Sequence, residues 1–155
     1  MKFIAHRGLI DGPYPSIENS PHQIKSTLKS GFDCEIDLRV VDGKFMLGHD
    51  EPQYQVDEEF LYMPGLWIHC KNYEALVWCS QRGRLNYFWH DTDAYTLTGY
   101  GVIWAYPGQS VDLKNTVQVM PEMADPSLQN VVWTAYGVCS DYVLKLQAQC
   151  PKLLR

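Results

Sequence analysis

The sequence lacks the features that mark three large classes of protein. No run of apolar residues approaches the ~20 residues that a membrane span needs, so no membrane-spanning segment is expected. The net charge is −5 and there is no basic stripe, which argues against a nucleic-acid surface. There is also no internal repeat, low-complexity tract or obvious linker. We therefore expect one domain over residues 1–155.

The cysteines form no motif. They number five, an odd count, and no two are spaced as C-x-x-C, which argues against zinc fingers and a disulfide scaffold. The N-terminus shows no signal peptide, because residues 2–8 are a short strand-like run that ends in charged residues. We therefore expect a cytoplasmic protein whose thiols are reduced and serve as small core residues.

Strand signals alternate with helix and loop signals along the chain. Short runs rich in β-branched and aromatic residues, bounded by Gly, Pro or Asn, predict strands at residues 2–7, 34–41, 44–47, 66–71, 86–91, 102–106, 116–120 and 136–141. A helix is predicted from the Ser20 cap to Gly31, and others at residues 73–81 and 142–149. Residues 57–64 and 109–115 are predicted to be surface loops.

This alternation predicts an α/β fold, and more narrowly a compact, trimmed TIM-type (β/α) barrel of about seven to eight strands. A full barrel of this type takes roughly 250 residues, so several of its helices must be shortened to turns or loops. The C-terminal ends of the strands in such a barrel meet on one face. Polar residues that follow the strands are therefore candidates for a functional site.

Two carboxylates share one face of the predicted second strand. Glu35 and Asp37 are two residues apart, so their side chains point the same way from positions roughly 6.5 Å apart. Such a pair can converge on one hard divalent ion, which prefers oxygen ligands, or it can form a solvent-facing acidic edge. A site is favoured because His6 ends the first strand and the tight turn at residues 42–43 returns His49 to the same neighbourhood.

These residue types can together cleave a phosphodiester. Cleavage near neutral pH needs positive charge on the phosphoryl oxygens, a base for the attacking hydroxyl and an acid for the departing one. His6, Arg7 and His49 can supply the base, the acid and a guanidinium, and the two carboxylates can hold a cation.

Six short motifs in series resemble the N-terminal signature of the glycerophosphodiester phosphodiesterase family, within the superfamily of PI-PLC-like phosphodiesterases. They are HRG at residues 6–8, ENS at 18–20, GFD at 31–33, EID at 35–37, DG at 42–43 and HD at 49–50. The family has H-R-G, E-N-T, G-x-D-x-x-E-x-D, D-G and H-D in this same order. The resemblance covers the first third of the chain and returns at residues 137–141, which are similar to the last barrel strand of the family.

The resemblance implies a TIM barrel that cleaves a glycerophosphodiester, or a similar small polyol or sugar phosphodiester, with the help of a metal, in lipid metabolism. Matched by position, His6 and His49 are the acid/base pair, and Glu35 and Asp37 are metal ligands. Arg7 and Lys71 are catalytic groups that also bind the substrate. Glu18 is a further acidic residue that contacts the substrate.

One position departs from the pattern of the family. Where the family has the glutamate of E-x-K, its third carboxylate ligand, this chain has His69. Imidazole binds magnesium or calcium poorly but suits zinc, manganese or iron. His69 can ligate a softer metal, another carboxylate such as Glu122 or Asp91 can replace the missing one, or metal binding can be weakened or lost. With Glu35, Asp37 and His69 as ligands, we expect Mg²⁺, Ca²⁺ or Mn²⁺, with Zn²⁺ as the alternative that the histidine suggests.

Aromatic residues are expected mainly in the interior of the barrel, with one or two forming a wall for a polyol or sugar substrate. We assign Trp89 to that wall. His90 and Asp91, at the end of the same predicted strand, either line the site or form an exposed strand end.

Two other functions fit the same residues. One is a phosphodiesterase or lyase that acts on a sugar- or inositol-type diester. The other is a catalytically silent binding module that lost its metal at His69. The expected partner is a small-molecule phosphodiester, and a homodimer is a further expectation, because a shortened barrel leaves apolar flanks that a second copy can cover.

Overall fold

The computed structural model describes residues 1–111 and 114–151. Its elements are β1 (Lys2–Ala5), α1 (Pro21–Lys29), β2 (Asp33–Val41), β3 (Lys44–Leu47), β4 (Tyr54–Val56), β5 (Leu66–Cys70), α2 (Tyr73–Ser80), β6 (Tyr87–Phe88), β7 (Tyr95–Leu97), β8 (Ile103–Ala105), β9 (Thr116–Val119), α3 (Pro121–Ala124), β10 (Gly137–Ser140) and α4 (Val143–Gln149). Short 3₁₀ turns lie at His6–Gly8 and Glu59–Tyr62.

The described strands form one curled sheet. Its parallel part runs in the order β6–β5–β2–β1–β10–β9–β8. β7 is antiparallel to β8, and β3 and β4 continue from β2 as antiparallel strands. The molecule is thus a mixed α/β half-barrel with few, short helices, which confirms the predicted α/β class.

A closed TIM barrel is not confirmed. Among the described residues no paired ladder joins β6 to β7 or to β8. One backbone hydrogen bond does cross this side of the sheet, from the Gly99 N–H to the Tyr87 carbonyl at 2.7 Å. The rings of Phe88 on β6 and Trp104 on β8 also pack there, with centroids 4.6 Å apart. The two ends of the sheet therefore lie close together although no ladder connects them.

Local capping explains where the two longer helices begin. The Ser20 hydroxyl accepts a hydrogen bond from the Gln23 N–H, and Pro21 occupies the first helical position of α1, as predicted. The Asn72 side chain caps α2 by accepting from the Ala75 N–H. No described helix lies between β6 and β9, where a full barrel would have two. The predicted shortening of the helices is therefore confirmed.

The core lies on both faces of β2 because its side chains alternate. Cys34, Ile36 and Leu38 pack against the helices, whereas Glu35 and Asp37 point to the opposite face, as the sequence predicted. The second face is filled by a separate apolar cluster from β1, β5, β6, β8, β9 and β10. All five cysteines are buried, in agreement with the prediction that they serve as small core residues.

Three short elements were absent from the sequence prediction, namely β4, β7 and α3. Each has three or four residues, which is too short for apolar periodicity to be visible. The prediction that residues 57–64 form a surface loop is correct for most of the segment, which is exposed, but wrong for Phe60 and Leu61. Asp57 accepts a hydrogen bond from the Phe60 N–H, and the resulting turn buries Phe60 and Leu61 in the core.

Two further expectations concern loops and membranes. In the predicted loop at residues 109–115, Val111 is buried, and residues 112 and 113 lie outside the described part of the chain. Among the described residues no helix has the length and apolar character that crossing a membrane would require. The expectation of no membrane-spanning helix therefore agrees with the structure for that part of the chain.

Gly48 offers a test of the turn that follows β3. Its φ is +147°, and a Cβ at this position would overlap the backbone carbonyl oxygen of Glu51. We predict that Gly48→Ala lowers the free energy of unfolding by at least about 2 kcal/mol, because it adds backbone strain to a steric clash. Urea denaturation measures this loss.

Gly83→Ala is the matched control, since a Cβ at that position meets no atom within 4 Å. It should change the free energy of unfolding by less than about 0.5 kcal/mol. Equal stability of the two variants would contradict the packing described for Gly48.

Candidate functional site

The two carboxylates of β2 are buried beside a histidine of β5. Glu35 is 2% exposed and Asp37 is 1% exposed. The parallel register of β2 and β5 places Asp37 next to His69. The His69 Nδ1 atom lies 3.3 Å from Asp37 Oδ1 and 3.6 Å from Glu35 Oε1. One donor atom from each of the three residues lies within 4.8 Å of the other two, which is a grouping able to hold a metal ion.

These three residues open onto a cavity of about 450 Å³. Its walls come mainly from residues that follow the C-terminal ends of the parallel strands, as expected for a barrel-like sheet. The polar lining comprises His6, Arg7, Glu35, Asp37, His49, His69, Lys71, His90 and Asp91. The remaining lining is Trp104, Tyr106, Pro107, Val119, Met120 and Met123. The cavity therefore has one charged wall and one mostly apolar wall.

The Asp37 carboxylate suits a cation because one of its oxygens is unsatisfied. Oδ2 accepts a hydrogen bond from Asn19 Nδ2 at 2.9 Å and lies 3.2 Å from His49 Nδ1. Oδ1 is buried and makes no well-formed hydrogen bond among the described residues, although His69 Nδ1 lies 3.3 Å away and Lys71 Nζ 3.9 Å away. A buried acceptor in this state is costly, and a cation between it and His69 would satisfy it. Two carboxylates and an imidazole are a plausible donor set for a divalent metal.

His69 is held in one orientation by its second nitrogen. Nε2 lies 2.8 Å from the His90 carbonyl oxygen, which can only accept, so Nε2 carries a proton. The ring also stacks on Phe88, with centroids 5.0 Å apart and planes 12° from parallel. Nδ1 is therefore the atom that faces Glu35 and Asp37.

The charged groups of this cluster shift one another's pKa values. Burial lowers the pKa of His69, but the adjacent Asp37 and Glu35 carboxylates outweigh it and raise that pKa to about 9. Burial likewise opposes ionisation of Asp37. The neighbouring His49 and His69, with the charge of Arg7, nevertheless hold its pKa well below the usual range. Without a metal, His69 is thus one of the cations that neutralise the two carboxylates.

His6, which follows β1, contacts a carboxylate at the end of the neighbouring strand β10. Its Nδ1 is 2.9 Å from Oδ1 of Asp141, which follows β10 and is 6% exposed. Burial lowers the pKa of His6, but the Asp141 hydrogen bond and the Glu35 charge outweigh it, so the net pKa is raised. With Nδ1 engaged by Asp141, Nε2 is the nitrogen through which His6 can exchange a proton with a ligand.

Arg7 and Lys71 place two positive charges against the carboxylates. Arg7 Nη1 donates to Glu18 Oε1 at 3.1 Å, and Arg7 Nε lies 3.3 Å from Asp37 Oδ2. Its backbone N–H donates to Glu35 Oε2 at 3.0 Å. Lys71 Nζ lies 3.9 Å from Asp37 Oδ1. Arg7 Nε is buried and makes no well-formed hydrogen bond among the described residues, so its contact with Asp37 is an ion pair.

Most of the predicted site residues meet around this cavity. Glu18 lies behind Arg7, and the turn at residues 42–43 returns His49 to Asp37, as predicted. Glu18 and Trp89 do not line the cavity, and Trp89 is 43% exposed. Side chains alternate along the strand, and Phe88 takes the inward position. The aromatic part of the wall comes instead from Trp104 and Tyr106.

Neither alternative carboxylate takes the place of the third ligand. Glu122 Oε1 accepts from the Ser140 hydroxyl at 2.8 Å and from the Asp141 N–H at 3.0 Å, so it supports the end of β10. Asp91 lines the cavity but is exposed. The metal-compatible cluster among the described residues includes neither of them and has His69 as its third member.

Three residues that sequence reasoning did not select support the site. Asn19 donates to Asp37 Oδ2 and accepts from the Asp37 N–H, both at 2.9 Å, and it adopts a left-handed φ of +58° that asparagine tolerates. Arg39 donates to the carbonyls of Gly48, His49 and Asp50, which fixes the loop that carries His49. Asp141 is the third. Asn19 lies in the ENS motif and Asp141 ends the segment 137–141 that resembles the last barrel strand of the family, whereas Arg39 acts through contacts that no local pattern reveals.

Comparison of the chain with protein-family models, with curated proteins and with solved structures finds no match. The resemblance to glycerophosphodiester phosphodiesterases therefore depends on the motifs alone and stays a prediction. The geometry of the cavity is the remaining ground for a function.

The pairing of His69 with the carboxylates predicts a pH-dependent stability of the metal-free chain. Its folded pKa of about 9 exceeds the ordinary value of about 6.5 for an unfolded chain. The imidazolium therefore stabilises the fold fully below pH ~6.5, and this stabilisation disappears as the pH rises to about 9. Between these limits it falls by up to about 1.4 kcal/mol per pH unit.

Urea unfolding in the presence of a chelator, from pH 6 to pH 9.5, tests this prediction. The stability difference between the wild type and His69→Gln should shrink as the pH rises. His22→Gln, at an exposed position of α1, should follow the wild type throughout. Parallel curves for the wild type and His69→Gln would contradict the ion pairing.

Proposed function

We propose that this chain is a metal-assisted phosphodiesterase that cleaves a glycerophosphodiester, or a similar small polyol or sugar phosphodiester, by two-histidine acid/base catalysis. The observation that carries this proposal is that His6 and His49 share one cavity with the cluster of Glu35, Asp37 and His69. A general acid, a general base and a candidate cation site then all lie within reach of one small ligand.

The positive groups of the cavity suit the phosphoryl oxygens. The Arg7 guanidinium lines the cavity, and Lys71 adds a second cation to the same lining. Guanidinium binds phosphate through paired hydrogen bonds, and an ammonium binds it as a point charge. A divalent ion (Mg²⁺, Ca²⁺, Mn²⁺ or Zn²⁺) held by Glu35, Asp37 and His69 would supply further charge neutralisation of the phosphoryl group.

The two histidines divide the proton transfers between them. Asp141 raises the pKa of His6, which favours the protonated imidazole, so His6 suits the role of acid for the leaving alkoxide. His49 then serves as the base that takes the proton from the attacking hydroxyl. Arg39 fixes the backbone of the His49 loop, so that the base is presented to the cavity in one position. The attacking group is water or, by the family resemblance, a neighbouring hydroxyl of the substrate that gives a cyclic phosphate.

The size and lining of the cavity favour a small organic diester. A volume of about 450 Å³ lies in the range of small-molecule sites. Trp104, Tyr106, Met120 and Met123 provide an apolar wall for the carbon skeleton of an alcohol. The net charge of −5 disfavours a nucleic acid as the diester.

We further propose that the half-barrel is a trimmed TIM barrel in which the β7 segment stands where a crossover helix would lie. The Gly99–Tyr87 hydrogen bond and the Phe88–Trp104 contact support this closure. Cytoplasmic location and a homodimer stay predictions from the sequence.

Removal of either histidine tests the mechanism. We predict that His6→Ala and His49→Ala each lower the turnover of a glycerophosphodiester by about 10²–10⁴-fold, because each loses one proton-transfer group. Phosphorus NMR on a panel of glycerol, sugar and inositol diesters, with each divalent ion in turn, measures turnover and reveals any cyclic phosphate.

His22→Ala is the matched control and should keep wild-type turnover, since His22 is exposed on α1. Thermal unfolding of each variant checks that the fold is retained. Wild-type turnover in both active-site variants would overturn the catalytic assignment. Absence of turnover by the folded wild type on every diester with every ion would favour a silent binding module instead.

A further inference from the structure

We propose that His69 gives this site a preference for first-row transition-metal ions that bind imidazole well, such as Co²⁺ and Zn²⁺, at the expense of Mg²⁺ and Ca²⁺. This inference rests on the proposed function in one respect only, which is that a cation binds at this site. It concerns which ion binds and does not require that a diester is cleaved.

The first ground is the identity and position of the donor atoms. Asp37 and His69 are register partners on adjacent parallel strands, and Glu35 lies two residues before Asp37 on the same face. Two carboxylate oxygens and one imidazole nitrogen therefore converge, with all three within 4.8 Å of one another. Imidazole suits zinc, iron, nickel and copper, whereas hard ions such as Mg²⁺ and Ca²⁺ are bound by oxygen.

The second ground is that His69 is already oriented as a metal ligand. A ligating histidine usually donates its other ring N–H to a carbonyl or carboxylate, which fixes both the tautomer and the ring plane. Here Nε2 donates to the His90 carbonyl at 2.8 Å, and Phe88 stacks on the ring. A metal ion that binds nitrogen ligands could therefore bind Nδ1 without any rotation of the side chain.

The third ground is the charge of the surroundings. Glu35 and Asp37 contribute two negative charges, and Arg7 and Lys71 lie within 4 Å of Asp37 with two positive ones. A third carboxylate would make such a site attractive to any divalent cation, but His69 adds no negative charge. Hard ions, which depend on electrostatic attraction, lose most from this balance, while ions that bond to imidazole keep a favourable contact.

Cys70 does not provide a competing soft ligand. Cys70 is adjacent to His69 in the chain but points to the opposite face of β5, into the core cluster packed against α1 and α2. The imidazole nitrogen, and not a thiolate, therefore determines which ions are preferred. These residues do not form a copper(I) site, because such a site is built from soft sulfur ligands.

The exchange of one residue tests the preference. Metal-free wild type and His69→Glu are titrated calorimetrically with Mn²⁺, Co²⁺, Zn²⁺, Mg²⁺ and Ca²⁺, and the visible absorption of bound Co²⁺ is recorded. Because most sites bind transition ions more tightly than Mg²⁺, the decisive quantity is the change in affinity ratio between the two proteins. We expect the Co²⁺/Mg²⁺ and Zn²⁺/Ca²⁺ ratios to fall at least about tenfold in His69→Glu, with a tighter absolute affinity for Mg²⁺ and Ca²⁺.

Two further variants keep the test decisive. His22→Glu makes the same substitution at an exposed position and should leave all affinities unchanged. His69→Gln, used if His69→Glu fails to fold, should weaken Co²⁺ and Zn²⁺ by about 10–100-fold without strengthening Mg²⁺ or Ca²⁺. Unchanged ratios in the His69 variants, or a wild type that binds no ion, would overturn the proposal.

Assays of diester turnover on the same samples separate this preference from the proposed function. Transition-ion preference without turnover leaves the preference standing and contradicts the phosphodiesterase. Turnover supported equally by Mg²⁺ in the wild type and in His69→Glu supports the phosphodiesterase and contradicts the preference.

Discussion

Burial of two carboxylates on one strand is the constraint on which the rest of the structure depends. Glu35 and Asp37 are almost inaccessible to solvent, and a buried ion costs several kcal/mol unless opposite charges and hydrogen bonds compensate it. The compensation comes from other elements: Arg7 follows β1, His49 follows β3, and His69 lies on β5. The groups that offset the cost of burying the two carboxylates are therefore the same groups that make the cavity a candidate site for an anionic ligand.

The position of β2 in the sheet is what allows this arrangement. Its first residues pair with β1 and its last residues pair with β3 on one edge, while β5 pairs along the other edge. Ile36 and Leu38 fill the core on the opposite face, so a slip of one residue would exchange apolar core for buried charge. Packing thus fixes the register that places Asp37 beside His69, and stability and the geometry of the site are linked through one strand.

The sequence predicts the parts of this arrangement that local patterns encode. The cap at Ser20, the turn at residues 42–43 and the alternation along β2 predict α1, the hairpin and the shared face of Glu35 and Asp37. Contacts between distant segments leave no such pattern, which is why Arg39 was not selected. Trp89 was assigned to the cavity because the face of so short a strand cannot be determined from sequence.

The most direct measurement of the central idea, that Glu35, Asp37 and His69 form one cation site, is anomalous diffraction from crystals soaked in Mn²⁺. The account predicts one anomalous peak within about 2.5 Å of an oxygen of each carboxylate and of His69 Nδ1, with Nε2 still donating to the His90 carbonyl. No peak at this position, with His69 still paired to both carboxylates at saturating Mn²⁺, would contradict it.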